Sequence, residues 1–117
     1  MVSIDFNRQT DPYHSHLIYN DDEGQHWHIG GIAQNGTNEY TIAETMDGSL
    51  CLNSRNYVGE KHRVGSWSRD QGITLGEGYW EETLIEPIYQ TGIVRYNPAG
   101  DDQNLVLFAN PASVTRE

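Results

Sequence analysis

Short runs of alternating or continuous apolar residues recur along the chain and are separated by polar turns. These runs predict strands at 16–19, 26–30, 40–46, 50–53, 63–68, 92–96 and 105–110. Turn signals lie between them at Asp21-Asp22-Glu23-Gly24, Asn35-Gly36, Asp47-Gly48, Asp70-Gln71-Gly72 and Asn97-Pro98-Ala99-Gly100. Asp47-Gly48 joins two strand-like runs, so residues 40–53 are expected to form a hairpin with a tight primed turn. No window carries helical periodicity with caps at both ends. Residues 81–90 could begin a helical turn, but Pro87 interrupts it. The continuous run LVLFA at 105–109 predicts an inner strand buried on both faces.

Seven short strands fit a sandwich, a barrel or propeller blades. An imperfect repeat separates these options. Asn20-Asp21-Asp22-Glu23-Gly24-Gln25-His26-Trp27 reads x-x-Asp-x-Gly-x-x-Trp. Ser68-Arg69-Asp70-Gln71-Gly72 repeats its core, with 48 positions between Asp22 and Asp70, and an inserted LGEGY displaces the second tryptophan to Trp80. That period suits one four-stranded propeller blade. The motif's chemistry is local. The aspartate accepts from backbone amides of the turn, glycine supplies positive φ, and tryptophan packs between sheets. Asp22, Gly24, Trp27, Asp70 and Gly72 are therefore expected to be structural.

Composition agrees with a turn-rich β domain over residues 1–117. Only 36% of the residues are hydrophobic, while twelve Gly, seven Tyr and three Trp are present. The net charge of −10 argues against nucleic acid and against anionic membrane surfaces. The acidic residues are scattered, as on a solvated surface. Cys51 is the single cysteine, so no intrachain disulfide forms. No signal peptide and no membrane-spanning run is visible, and localisation stays open.

The motifs in order resemble the sialidase (neuraminidase) family of glycoside hydrolases. The run GTNEYTIAETMDGSLCLNSRNY at 36–57 is similar to the family's Asn-Glu, strand, Asp-Gly, and strand ending in Leu-x-x-Arg. YNDDEGQHWHIGG and SWSRDQG look like the flanking Asp-boxes (BNR repeats), near 20–27 and 68–80. LIEPIYQTGIVRY resembles the family's blade connection, commonly Pro-x-Cys-Gln, with Tyr89 in place of the cysteine. LVLFANPASVTRE resembles the strand that delivers a later active-site arginine. The resemblance implies an all-β fold of antiparallel four-stranded blades, about two to three blades of a six-bladed β-propeller. It implies hydrolysis of terminal α-linked sialic acids from glycoconjugates through a tyrosine nucleophile. It also implies that family members are often secreted or periplasmic.

Residue by residue, the resemblance implies that Glu39 activates the nucleophilic tyrosine. It implies that Arg55 and Arg116 are two members of an arginine triad binding the sialic-acid carboxylate. The chemistry suits those residue types. A guanidinium fork meets a carboxylate in bidentate, permanently charged fashion. A carboxylate nucleophile would be repelled by the acid group on the anomeric carbon, so the family uses tyrosine instead. Phenol, with a pKa of about 10, needs a neighbouring base. No cofactor is implied, and the implied partner is a sialylated glycan or free sialic acid.

The departures from the family pattern are specific. There is no Arg-Ile-Pro for the first triad arginine, and Arg8 does not match it. No aspartate acid/base is in the matching context, and none of the seven tyrosines matches the nucleophile. A full propeller at one blade per roughly 40–50 residues would be about three times longer. The chain is thus expected to be catalytically incomplete by itself. Three alternatives remain open. One is a non-catalytic sialic-acid or glycan-binding remnant. Another is a structural propeller fragment that assembles with itself, through open blade edges, or with another chain. The third is a metal-binding β domain built on the pairs His14/His16 and His26/His28, although polar positions alternating along strands explain those pairs without metal.

Overall fold

The computed structural model describes residues 2–5, 14–58, 61–98, 103 and 105–115. Among them are nine strands and no helix: β1 (Val2–Asp5), β2 (His14–Tyr19), β3 (His28–Ile32), β4 (Thr37–Glu44), β5 (Leu50–Asn56), β6 (His62–Ser68), β7 (Tyr79–Ile85), β8 (Gly92–Tyr96) and β9 (Leu105–Ala109). They form three antiparallel sheets, ordered β1-β2-β3, β4-β5-β6-β7 and β8-β9. The fold is all-β, as the patterning predicts: one four-stranded blade flanked by parts of two others.

Two turns, one between β2 and β3 and one between β6 and β7, share a single geometry at the 48-residue offset. The first residue of each closes the turn with its side chain: Gly24 N–H donates to Asn20 Oδ1 at 2.7 Å, and Gly72 N–H to Ser68 Oγ at 2.8 Å. The aspartate then accepts the backbone N–H four residues on, His26 on Asp22 and Thr74 on Asp70, each at 2.9 Å. The same residues bring their side chains to the second carboxylate oxygen, His26 Nδ1 at 2.5 Å and the Thr74 hydroxyl at 2.6 Å. Gly24 and Gly72 take φ of 88° and 96°, a conformation that costs glycine little. These bonds hold both carboxyls below their usual range: the His26 amide and then its ring act on Asp22, and the Thr74 hydroxyl and then its amide act on Asp70. Matching the turns makes β1, β2 and β3 the counterparts of β5, β6 and β7.

The second turn joins the first two sheets. Gly31 N–H donates to Gly72 O at 3.0 Å. A Cβ at Gly31 would meet Leu75 N at 2.5 Å and Leu75 Cγ at 2.6 Å. Leu75 therefore stands where Trp27 stands in the first turn, and the sequence expectation that tryptophan packs there needs correcting. Trp27 is 52% exposed, and Trp80 lies on edge strand β7. Gly31→Ala is expected to lower stability by roughly 1–3 kcal/mol through overpacking, read as a lower urea midpoint at unchanged m-value. A midpoint equal to wild type would contradict so close a seam.

β4 is the hub. The Tyr40 hydroxyl donates to His16 O on β2 at 2.9 Å, and Thr41 Oγ1 accepts the Ile93 N–H of β8 at 3.2 Å. Ser15 on β2 reaches the start of β4, donating its N–H to Thr37 Oγ1 at 3.3 Å and its hydroxyl to Asn38 O. The buried apolar set is small, Leu17, Ala33, Ala43, Leu52 and Val64, and buried polar side chains fill much of the remaining interior.

The hairpin of residues 40–53 forms, but its turn differs from expectation. Thr45 N–H donates to Ser49 O at 2.8 Å and Gly48 N–H to Thr45 O at 3.0 Å. Only Gly48, at φ 79°, is left-handed here, so Met46-Asp47-Gly48 is a three-residue loop rather than a primed two-residue turn. Asp47 Oδ1 accepts the Thr45 hydroxyl at 2.6 Å and the Ser49 N–H at 3.1 Å, and the Thr45 bond foremost pulls its carboxyl from 3.8 to about 2. A carboxyl whose pKa is depressed on folding stabilises above its unfolded value, and that contribution is lost as pH falls through the folded one. Stability is thus expected to decline between pH about 4 and about 2. Asp47→Asn should flatten that part of a melting-temperature profile, and an unchanged slope would contradict it.

Three further corrections concern strands. β7 occupies part of the segment in which a helical turn was conceivable. As the outer strand of its sheet it shows little alternation of burial, and Glu81 and Glu82 suit an open edge. β1 was not anticipated. β9 is not buried on both faces: its residues alternate between exposed and half-buried, because its sheet has two strands and one open face. Val94, Tyr96, Leu105 and Leu107 share that face and are 58%, 48%, 41% and 51% exposed.

Candidate functional site

The β4–β5 ladder is regular from Tyr40 to Glu44 and slips between Thr37 and Tyr40. Such irregularities re-aim a side chain, and this one lies at Glu39. Asn38 Oδ1 accepts the Glu39 N–H at 2.5 Å, fixing the backbone there. Arg55, near the end of β5, donates from Nη1 to Glu39 Oε2 at 2.6 Å. Its guanidinium also lies over the Tyr57 ring, 5.0 Å from the centroid. Arg55 is largely buried and Glu39 is 38% exposed. Two residues 16 positions apart thus meet at one end of the blade.

A second, deeper pair supports them. The β5–β6 register sets Ser54 opposite Val64, which places Arg55 and Arg63 next in line on the other face. Arg63 donates from Nη1 to Glu86 Oε2 at 2.8 Å, and both side chains are 1% exposed. Its Nε donates to Asn53 Oδ1 at 2.6 Å, Nη2 to Asn53 O at 2.9 Å and Nη1 to Tyr89 O at 3.0 Å. Burial draws the Arg63 pKa below its ordinary value, and the Glu86 bond opposes that shift. The guanidinium remains cationic at ordinary pH.

A cleft of about 200 Å³ opens beside these pairs, lined by Glu39, Tyr40, Thr41, Arg63, Gln90 and Thr91. Gln90 and Thr91 come from the connection between β7 and β8. Ile88 in that connection has φ 65°, a conformation that costs a β-branched residue on the order of 1–3 kcal/mol. The Tyr40 hydroxyl is engaged with His16 O, and burial pushes its pKa up to about 12.

Of the residues singled out by sequence, Glu39 and Arg55 come together. Arg116 lies outside the described residues. Asp22, Gly24, Asp70 and Gly72 sit in the two turns, away from the cleft lining. Sequence reasoning missed Arg63 and Gln90 as cleft lining, and Asn53 and Glu86 as the partners that hold Arg63. The Pro-x-Cys-Gln resemblance was the signal that pointed towards Gln90. The histidine pairs do not gather: His26 lies in a turn on Asp22, His28 packs against the Tyr19 ring at 5.4 Å, and His14 Nδ1 contacts Ala33 O at 3.3 Å. Among the described residues no three His, Cys, Asp or Glu side chains converge as a metal set.

No family model matches the chain, and no curated protein matches it in sequence. Solved structures do. The chain is similar to the Hadza microbial sialidase Hz136 at 31% identity and TM-score 0.77, covering 88% of this chain and 20% of that one. It is similar to the leech intramolecular trans-sialidase, solved with 2,7-anhydro-Neu5Ac, at 23% identity and TM-score 0.73, covering 87% of this chain and 15% of that one. It is similar to the intramolecular trans-sialidase of Ruminococcus gnavus, solved with oseltamivir carboxylate, at 24% identity and TM-score 0.68, covering 80% and 20%. The last two are likenesses of fold. In each case the chain spans a fifth or less of the other protein's length.

Proposed function

We propose, from the premise that this chain is a sialidase-like β-propeller segment, that Glu39 and Arg55 belong to a site for sialic acid. The carrying observation is the Arg55–Glu39 contact at 2.6 Å beside a cleft, in a chain 31% identical to a sialidase over most of its length. Arg55 offers a fixed cation to a ligand carboxylate, and Arg116 offers a second. Glu39 is the base that draws the proton from a tyrosine nucleophile, which must come from outside this sequence. The reaction of the whole site is hydrolysis of a terminal α-linked sialic acid through a tyrosine-linked intermediate. This chain contributes the base and part of the carboxylate clamp, and alone it binds rather than cleaves.

Titrating the chain with N-acetylneuraminic acid and with its methyl ester tests the reading. Saturable binding of the acid, with the ester at least about tenfold weaker, is expected if a guanidinium–carboxylate contact carries recognition. Equal binding of both, or of neither, would overturn it. A fluorogenic sialoside added in parallel should stay uncleaved, and turnover abolished by Glu39→Gln would instead show that copies assemble a complete site.

A further inference from the structure

We infer that the buried Arg63–Glu86 pair is a clamp that holds the connection after β7 in its strained shape and thereby positions Gln90 and Thr91 against Glu39. The functional sense of this rests on the sialic-acid reading of the cleft, while the clamp rests on geometry alone. Ile88 is the only β-branched residue with positive φ among the described residues. Such a conformation persists only where the surroundings over-determine it. Here both sides of Ile88 are tied to one guanidinium. Before it, Glu86 accepts from Arg63 Nη1 at 2.8 Å and donates its own N–H to Lys61 O at 2.9 Å. After it, Tyr89 O accepts from the same Nη1 at 3.0 Å, and Tyr89 N–H donates to Glu86 Oε2 at 3.3 Å.

Arg63 is itself held on its far side by the two Asn53 contacts, at 2.6 and 2.9 Å, which root the clamp in β5. β5 also carries Arg55. One buried cation thus fixes the connection that supplies Gln90 and Thr91 to the strand that supplies the carboxylate-binding arginine. Lysine cannot replace it, because a single ammonium cannot reach Asn53, Glu86 and Tyr89 in one plane. Arg63 is a positioning residue here: of the cleft's polar walls, Gln90 and Thr91 owe their placement to it.

Two variants test the clamp by amide exchange and by N-acetylneuraminic acid titration. In Arg63→Lys, exchange at Tyr89 and Ile93 should accelerate by at least about tenfold while the β5–β6 ladder stays protected. Ile88→Gly relieves the strained backbone and leaves the clamp intact, so exchange at Tyr89 and Ile93 should stay at or below the wild-type rate. Added to Arg63→Lys it should bring exchange back towards wild type, a rescue that a merely structural role for Arg63 would not give. Sialic-acid binding should weaken several-fold in Arg63→Lys and recover in step. If Arg63→Lys fails to fold, the double variant decides: recovered folding supports the clamp and no recovery overturns it. Wild-type exchange at Tyr89 and Ile93 in a folded Arg63→Lys would also overturn the inference. If wild type binds no sialic acid, the site reading falls, and the exchange comparison still decides the clamp.

Discussion

Arg63→Met lowers the free energy of unfolding by about 3–5 kcal/mol, the typical cost of stranding one member of a buried ion pair. Both members are 1% exposed, so solvent does little to screen the orphaned Glu86 carboxylate. Asn53 Oδ1 and Tyr89 O lose the Arg63 bond at the same time, and each lost bond adds its own penalty. For a domain whose total stability is on the order of 5–15 kcal/mol, that is a large share. Arg63→Met combined with Glu86→Leu should recover part of the loss, because a buried pair exchanged for apolar side chains is often neutral. Urea unfolding of the single and double variants checks both statements. A single variant within about 1 kcal/mol of wild type would contradict a buried, paired Arg63.

Arg55→Ala is the second large effect, and it falls on binding rather than on folding. Deleting a charged donor to a ligand carboxylate costs about 1.5–3 kcal/mol, roughly ten- to a hundredfold in affinity for N-acetylneuraminic acid. Arg55→Lys should restore only part, since a point charge cannot reproduce a bidentate fork. Folding stability should change by less than about 1 kcal/mol, because the partner Glu39 is 38% exposed and its attraction to Arg55 is screened. Glu39→Gln should leave binding intact or tighter, since it frees Arg55 from a competing anion. Calorimetric titration beside a thermal melt separates the two axes. Loss of stability in Arg55→Ala with affinity retained would reverse the assignment.

The contrast between these arginines explains what the sequence could and could not disclose. Arg55 is legible because it ends a strand inside an ordered set of motifs, although its meeting with Glu39 depends on a β4–β5 irregularity that no residue announces. Arg63 and Glu86 look like ordinary surface charges. Their burial arises because the connection after β7 folds back over β6, a long-range event invisible to local pattern. The strands with clean alternation or firm turn signals, β2, β4, β5, β6 and β8, were readable. β7 was not, since an outer strand with little contrast between its faces carries no period-two signal in YWEETLI. The Asp47-Gly48 cue gave the hairpin but not its turn, because Asp-Gly serves a three-residue loop as readily as a primed one. Trp80 misled because the insertion kept a tryptophan nearby while Leu75 took the position against Gly31.

The two Asp-x-Gly turns set a timetable as well as a geometry. The side-chain bonds that close them join residues four positions apart. Such loops close within about a hundred nanoseconds and hairpins within microseconds. The contact that docks β8 onto β4 joins Thr41 to Ile93, across 52 positions, and must wait for a far costlier loop closure. Each blade can thus carry its own starting point for folding, placed at the rim where it needs no neighbour. The docking of β8 onto the hub strand, which completes the wall beside Glu39, becomes the last piece to be fixed.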